Sequence, residues 1–413
     1  MIPSNKQIGV GSVKISKRAK KYLHEVIRSN RLSYGPFSER FEQALAQAHD
    51  SSYGVFVNSG TSALQIAVAA LKERYQWNDG DEIIVPALTF VASSNVILKN
   101  NLTPVFVDVD ARHYNIDPHT IEGAITPKTK AIMVVHLFGQ PADMDPLMAL
   151  AKRHNLRVIE DSCETMFARY KGKSVGSFGD ISCFSTYACH IICTGVGGLA
   201  VTSNRELAVL LRSLANHGRD AIYFSMDHDA TDDPQKLKMI MEKRFSFIRL
   251  GYSYRATEME AALGLAQLEE IDKNIPKRRK NAQVLLQGLQ KWEQYLQLPA
   301  LLPGAEHSFM MFPLVIKTPS IKKQELTFFL EQRNIETRDM LPLTNQPYKK
   351  KLFGEELEER FPIAKYINQH GFYIGCHPEL TRRDLQYVLG VFDAFFAQYN
   401  QQKREYSARE IVI

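Results

Sequence analysis

CFSTYACHIICTGVGG, residues Cys183–Gly198, runs from apolar and hydroxyl side chains through a histidine into a glycine-rich turn. A second apolar run, Leu199–Thr202, follows it. The pattern predicts strand, loop, strand. Gly195, Gly197 and Gly198 let the backbone turn sharply and approach a ligand. His190 stands just before that turn, where a side chain is presented rather than packed. A single histidine in an apolar run is more often a satisfied structural residue than a catalyst. Its meaning therefore depends on what stands upstream.

Working back, Tyr53–Val57 is a short β-like run that meets Asn58-Ser-Gly-Thr-Ser-Ala63, and a helical pattern continues through Leu71. Small hydroxyl residues and glycine at a helix N-terminus make an anion site from free N–H groups, hydroxyls and the helix dipole. A simple helix cap explains the same residues. The lysine of a P-loop and the glycine spacing of a dinucleotide fingerprint are both missing. Strand patterns recur at Glu82–Val85, Thr103–Val109, Ala131–His136 and Arg157–Ile159, with a helix around Leu147–His154. Strands alternating with helices predict an α/β fold on a mostly parallel sheet, and ligands on such sheets bind beyond the carboxyl ends of the strands. Asn58–Thr61, Thr89-Phe90 and Glu160-Asp-Ser-Cys-Glu164 all fall there. An acid at the end of a buried strand is costly without a partner. A protonated ring nitrogen of a cofactor would serve Asp161; a helix N-cap role is the plainer alternative.

The 413 residues are enough for two substantial domains. Hydrophobic content of 45% and charged content of 23% describe a globular protein rather than a disordered one. The net charge is +6. The basic runs Lys277–Lys280 and Lys349–Lys351 read as solvated helix faces, not as a nucleic-acid patch. Five cysteines give no Cys-x-x-Cys pair and no disulfide framework, which suits a reducing, cytoplasmic setting. No apolar run approaches the roughly 18 residues of a membrane span, and no signal-peptide core opens the chain. Residues 1–15 read as an extended arm, and Ser16–Ser29 and Ser38–His49 as helices. After Met259–Leu268, helices at Lys280–Leu289, Lys322–Arg333 and Thr381–Tyr399 and strands at Met311–Ile316 and Ile335–Arg338 predict a smaller α+β domain. The chain divides into 1–260 and 261–413, with the joint inside residues 255–275.

With these residues laid out, the chain resembles the DegT/DnrJ/StrS family of sugar aminotransferases. The segments SGTSAL, VPALTF, EDSCE, GSFGDISCFS, TGVGG, NHG, GYSYR and NIETRDMLPL carry the likeness in order over nearly the whole chain. The resemblance implies the aspartate-aminotransferase fold (pyridoxal-phosphate fold type I), with a large seven-stranded-type sheet domain and a small C-terminal domain. It implies that Gly60, Thr61 and Ser185 bind the phosphate of pyridoxal 5'-phosphate (PLP). Phe90 would stack on its ring, Asp161 would pair with the ring nitrogen, and Glu164 would lie on the ring's hydroxyl side. It also implies a homodimer with active sites at the interface. Ser253 stands where the family has an asparagine that reaches the partner's phosphate site. His217, Arg219 and the segments Arg219–Arg244 and Arg338–Tyr348 are placed by the same likeness beside a nucleotide-sugar substrate.

One departure carries the function. The family's cofactor lysine is His190 here, and an imidazole cannot hold the cofactor covalently. The cofactor is then bound non-covalently, as PLP or as pyridoxamine 5'-phosphate (PMP). The replacement resembles a branch of PMP-dependent 3-dehydratases acting on nucleotide-linked 4-keto-6-deoxyhexoses. In that branch His190 would be the acid–base catalyst, assisted by Asp161 and Glu164. One subtype carries an iron–sulfur cluster on four cysteines. Only Cys163 matches; the other positions are Ala221, Tyr223 and Thr231, so no cluster is expected and no metal site. Cys183, Cys189 and Cys193 read as small buried residues, the last two in a strand-like stretch. The other subtype, the GDP-4-keto-6-deoxymannose 3-dehydratases, uses L-glutamate as amino donor and no cluster, and this chain resembles it. A second departure is Val196 in place of the family's glutamate. An aminotransferase working without the lysine, and a non-catalytic relative, are the alternatives.

Overall fold

The computed structural model describes residues 7–220, 233–243 and 245–410. The expected positions Ala221, Tyr223 and Thr231, and half of the Arg219–Arg244 excursion, lie outside the described residues. Fourteen strands are present among the described residues: β1 (Tyr53–Val57), β2 (Glu82–Pro86), β3 (Thr103–Val107), β4 (Thr129–Val135), β5 (Arg157–Asp161), β6 (Arg169–Tyr170), β7 (Lys173–Ser174), β8 (Ile181–Ser185), β9 (Gly198–Thr202), β10 (Leu296–Gln297), β11 (Ala305–Glu306), β12 (Met311–Ile316), β13 (Thr337–Asp339) and β14 (Gly371–Gly375).

Seven of them form one sheet in the order β1-β9-β8-β5-β4-β2-β3. Pairing is parallel from β8 to β3, and β9 runs antiparallel to both β8 and β1. The strand–loop–strand reading of Cys183–Thr202 is therefore the β8–β9 pair at the heart of this sheet. These strands are buried along nearly their whole length, as expected of a sheet covered on both faces. A second sheet, β10-β12-β14-β13, is antiparallel. Residues 169–174 and 305–306 add a small third sheet that the sequence reading lacked.

The first four helices are α1 (Lys17–Ser29), α2 (Pro36–Ala48), α3 (Gly60–Arg74) and α4 (Val91–Lys99), and the last two begin at the site. Ser16 caps α1 through the N–H of Ala19. Almost every residue of α3 from Gly60 to Leu71 is buried, because the helix runs inside the fold. The N-terminal arm is extended as expected: Ile8 pairs in parallel with Ile335, and Val10 is buried.

Three expectations change. Thr103–Val109 stops as a strand at Val107, because the Asp108 carboxylate takes the N–H groups of Val109, Ile363 and Ala364 and bends the chain. Cys189 and Cys193 lie in a turn-rich loop rather than a strand, and Cys189 is only half-buried. The two basic runs are not simply solvated. Arg278 is buried and bonds the carbonyls of Phe309 and Met310, and Lys349 is buried against the rings of Phe106, Tyr348 and Phe353. Both stems complete the core, which a charge count does not show. No helix among the described residues is long and apolar enough to cross a membrane.

Candidate active site

The carboxyl ends of β1, β2, β5 and β8 open into one cavity of about 490 Å³, a size usual for small-ligand sites. Gly60, Thr61, Phe90, Asp161, Glu164, Ser185 and His190 all line it. Seven of the expected residues thus converge from four separate stretches of sequence.

The start of α3 forms part of the cavity wall. Ser59 is its N-cap and accepts from the N–H of Ser62 at 3.0 Å. Ser62 in turn donates to Asn58 at 2.7 Å. The cap is therefore real, but it serves the third helical residue and leaves Gly60 and Thr61 to the cavity. A Cβ on Gly60 would stand 2.8 Å from both Cys163 Sγ and Ser185 Cβ. Glycine is needed there so that the helix start can sit against β8. Gly198 is constrained likewise, since a Cβ would meet Gly60 N at 2.4 Å. Gly197, at φ +144°, takes a conformation that favours glycine.

β5 delivers Asp161 to the same cavity. Its carboxylate accepts from Ser93 Oγ at 2.7 Å and from the Cys163 N–H at 3.2 Å, both neutral donors. Burial raises its pKa, and the hydrogen bonds from Ser93 and Cys163 only partly offset that. Glu164 accepts from the Phe138 N–H at 3.1 Å, and burial holds its carboxyl up at about 7. Phe90, at the start of α4, is 56% exposed, an apolar ring presented to the cavity.

His190 sits in the loop between β8 and β9. Its Nδ1 lies 2.5 Å from the carbonyl of Cys163. A carbonyl only accepts, so Nδ1 carries the hydrogen and Nε2 the lone pair. Burial lowers the imidazole pKa to about 4, so the ring is neutral at pH 7. Tyr187 packs on it edge-on at 6.3 Å. The loop itself is tied down by Thr186, Thr194 and Gly197, and by Gln267 reaching Cys193.

Three expected residues stand elsewhere. Ser253 is exposed and accepts from Arg255 at 3.3 Å. His217 is exposed, 3.4 Å from Arg255, and Arg219 lies over the ring of Phe247. None of the three lines the cavity of its own chain. Conversely, Ser93, Tyr373, Val10 and Cys189 were not singled out as site residues. Val10, Cys189 and Tyr373 line the cavity, and Ser93 holds Asp161. The i, i+4 pair Thr89–Ser93 was the one available signal for Ser93; its hydroxyls lie 2.8 Å apart.

These residues fit PLP on the evidence of the cavity itself. A helix N-terminus and Ser185 await an anion, a half-exposed ring offers a stacking face, and a buried carboxylate with only neutral donors suits a cationic nitrogen. Fold and site together define the class, PLP-dependent enzymes of fold type I. A structure of the E. coli GDP-4-keto-6-deoxy-D-mannose-3-dehydratase with bound hydrated PLP matches at a TM-score of 0.83 and 27% identity, covering 94% of this chain and 99% of that one. Residues 13–393 match the DegT/DnrJ/EryC1/StrS aminotransferase family, and the chain belongs to it. Among its relatives, the lipopolysaccharide biosynthesis protein RfbH of Salmonella typhimurium is 34% identical over 95% of this chain and 91% of its own length. The GDP-perosamine synthase of Caulobacter vibrioides is 33% identical over 94% and 98%.

Proposed function

We propose that this family member removes the C3 hydroxyl of a nucleotide-linked 4-keto-6-deoxyhexose, using PLP/PMP held non-covalently and L-glutamate as amino donor. The observation that carries the reading is that a neutral histidine, and no lysine, lines the cavity among the described residues.

When bound, the cofactor supplies an electron sink conjugated to the reacting carbon. The N-terminus of α3 and Ser185 hold its phosphate, Phe90 covers its ring, and Asp161 keeps its ring nitrogen protonated. Glu164, poised near neutrality, holds a proton on the ring's hydroxyl side. Nε2 of His190, which carries the lone pair, would accept the proton from the cofactor's exocyclic carbon, the one that bears its amine. The imidazolium so formed is a strong acid in its buried setting and delivers that proton to the departing C3 hydroxyl. L-glutamate would serve as the amino donor, so 2-oxoglutarate and ammonia would be the co-products. The reaction needs no iron–sulfur cluster.

A homodimer is part of the proposal. Phe245, Phe247, Ile248 and Leu250 are 78, 49, 52 and 94% exposed beside Ser253, an apolar face suited to a second copy. That copy's Ser253 would complete the phosphate site. We place the enzyme in the cytoplasm and divide it into residues 1–260 and 261–413. The joint falls in the 255–275 region, since helix Glu258–Leu268 packs on α1 and α2 while helix Ile271–Leu289 packs on Arg382–Glu410.

The family likeness to GDP-perosamine synthase keeps aminotransfer as the second reading. His190→Lys separates them. The wild type should release ammonia and 2-oxoglutarate in step when given glutamate and the keto sugar. His190→Lys should lose ammonia release by roughly a hundred-fold or more, the usual weight of an acid–base group. Equal aminotransfer by both proteins would refute the dehydratase reading.

A further inference from the structure

The N-terminal arm runs from the second sheet to the loop that carries His190. Ile8 donates its N–H to Asn334 O at 2.7 Å and accepts the Glu336 N–H at 2.9 Å, in the segment leading into β13. The Glu336 carboxylate takes the Val10 N–H at 2.8 Å. Gly9 passes so close to β14 that a Cβ on Gly375 would overlap the Gly9 carbonyl oxygen. Ile8 belongs to the apolar core around the antiparallel sheet. Val10, two residues on, is buried in the core around the seven-stranded sheet and lines the cavity. The next residue, Gly11, lies against the backbone of Cys189. A Cβ on Gly11 would stand 2.8 Å from Cys189 Cα and 3.3 Å from both its Cβ and its carbonyl oxygen. Cys189 immediately precedes His190.

Non-bonded carbons settle at about 3.5–4.0 Å, so no side chain fits at Gly11 unless Cys189 moves. Neither side is free to yield. The arm is tied to Asn334 and Glu336, and the loop is tied by His190 N–H on Tyr187 O at 2.9 Å and by His190 Nδ1 on Cys163 O. We infer that Gly11 is a positioning residue for His190: its bare α-carbon lets the arm brace Cys189, and that brace keeps Nδ1–H on the Cys163 carbonyl. The partner of one imidazole nitrogen decides what the other can do. Holding Nδ1 in this way keeps the lone pair on Nε2, the atom to which the proposed reaction gives the proton. The kinetic part of the inference rests on that proposed reaction; the geometric part does not.

The test compares Gly11→Ala with Gly9→Ala in the full chain. A Cβ on Gly9 would find the Gly11 carbonyl oxygen at 3.0 Å and the Glu336 carboxylate at 3.2 Å as its nearest neighbours, so it strains the arm without pressing on Cys189. The first readout is proton NMR of histidine-labelled protein. The wild type should show a solvent-protected Nδ1–H signal that His190→Gln removes. Gly11→Ala should lose that signal and Gly9→Ala should keep it. The second readout is a single turnover of the keto sugar by protein preloaded with PMP. Gly11→Ala should slow it by about a hundred-fold, the weight of a misplacement of about 1 Å, with the dependence on sugar concentration kept within about three-fold. Should Gly11→Ala not fold, Ile8→Ala loosens the arm at its far anchor and should make the Nδ1–H signal exchange about ten-fold faster. An unchanged signal and rate in Gly11→Ala, or an unchanged signal in Ile8→Ala, would overturn the inference. So would equal losses in Gly9→Ala and Gly11→Ala, which would trace the effect to the arm as a whole and not to the contact with Cys189. If Gly11→Ala loses the signal while the wild type turns over no keto sugar, the brace stands and the proposed reaction falls.

Discussion

Glu160 and Asp161 are neighbours on β5, both buried, and their surroundings are opposite. Glu160 points away from the cavity. It accepts the N–H groups of Gly176, Phe178 and Gly179 at 2.7–2.8 Å and lies 3.2 Å from His136 Nε2. Burial pushes its pKa up, but His136 and those N–H groups outweigh it, so the carboxylate is held below its usual value. Asp161 faces the cavity with two neutral donors, and its pKa is raised. The alternation of a strand sends adjacent acids to opposite faces. One locks the segment after the small hairpin; the other is left short of a charge. A buried carboxylate that the fold does not satisfy marks where a ligand completes the structure.

The two acids should break differently. Asp161→Asn should lower turnover the most, roughly a thousand-fold, the upper weight of one preorganised electrostatic group. The same change should stabilise the cofactor-free protein at pH 7. Asp161 has a raised folded pKa, so its charged form costs stability above its usual value, and the penalty disappears as pH falls. A thermal melt across pH 4–7 in which the variant gains nothing would remove the distinction. Glu160→Gln should cost about 3 kcal/mol, because in either orientation its amide nitrogen would face two groups that now donate to a carboxylate oxygen. Here the sign reverses: a depressed carboxylate contributes stability above its unfolded pKa and loses it as pH falls through the folded value. Urea unfolding of this variant should therefore show a flatter acid limb than the wild type. Ser93→Ala is the mildest, about 1 kcal/mol from one hydrogen bond. It should read as about five-fold weaker cofactor retention in dialysis, with the fold intact.

The strand ends were legible because the pattern of buried apolar runs broken by small and acidic residues is local. The Gly60–Thr61 helix start, Asp161 and His190 each announced themselves that way. What local pattern could not separate was Glu160 from Asp161, since their partners, His136 and the Gly176–Gly179 turn, come from other stretches. Nor could it see that the arm reaches the cavity at Val10, or that Arg278 and Lys349 of the basic runs turn inward. Ser253, His217 and Arg219 remain outside the cavity of a single chain, where residues serving a second copy would stand. Burial, which no local pattern reveals, takes the imidazole from its ordinary pKa down to about 4. That makes His190 a resting neutral base and, once protonated, a readier acid.

The most direct test of the account is the mass of the sugar product. The protein would be incubated with PLP, glutamate and GDP-, CDP-, dTDP- or UDP-linked 4-keto-6-deoxyhexoses. The account predicts a product lighter than its substrate by one oxygen, formed together with 2-oxoglutarate and ammonia. A product that retains the C3 oxygen and carries nitrogen would contradict it.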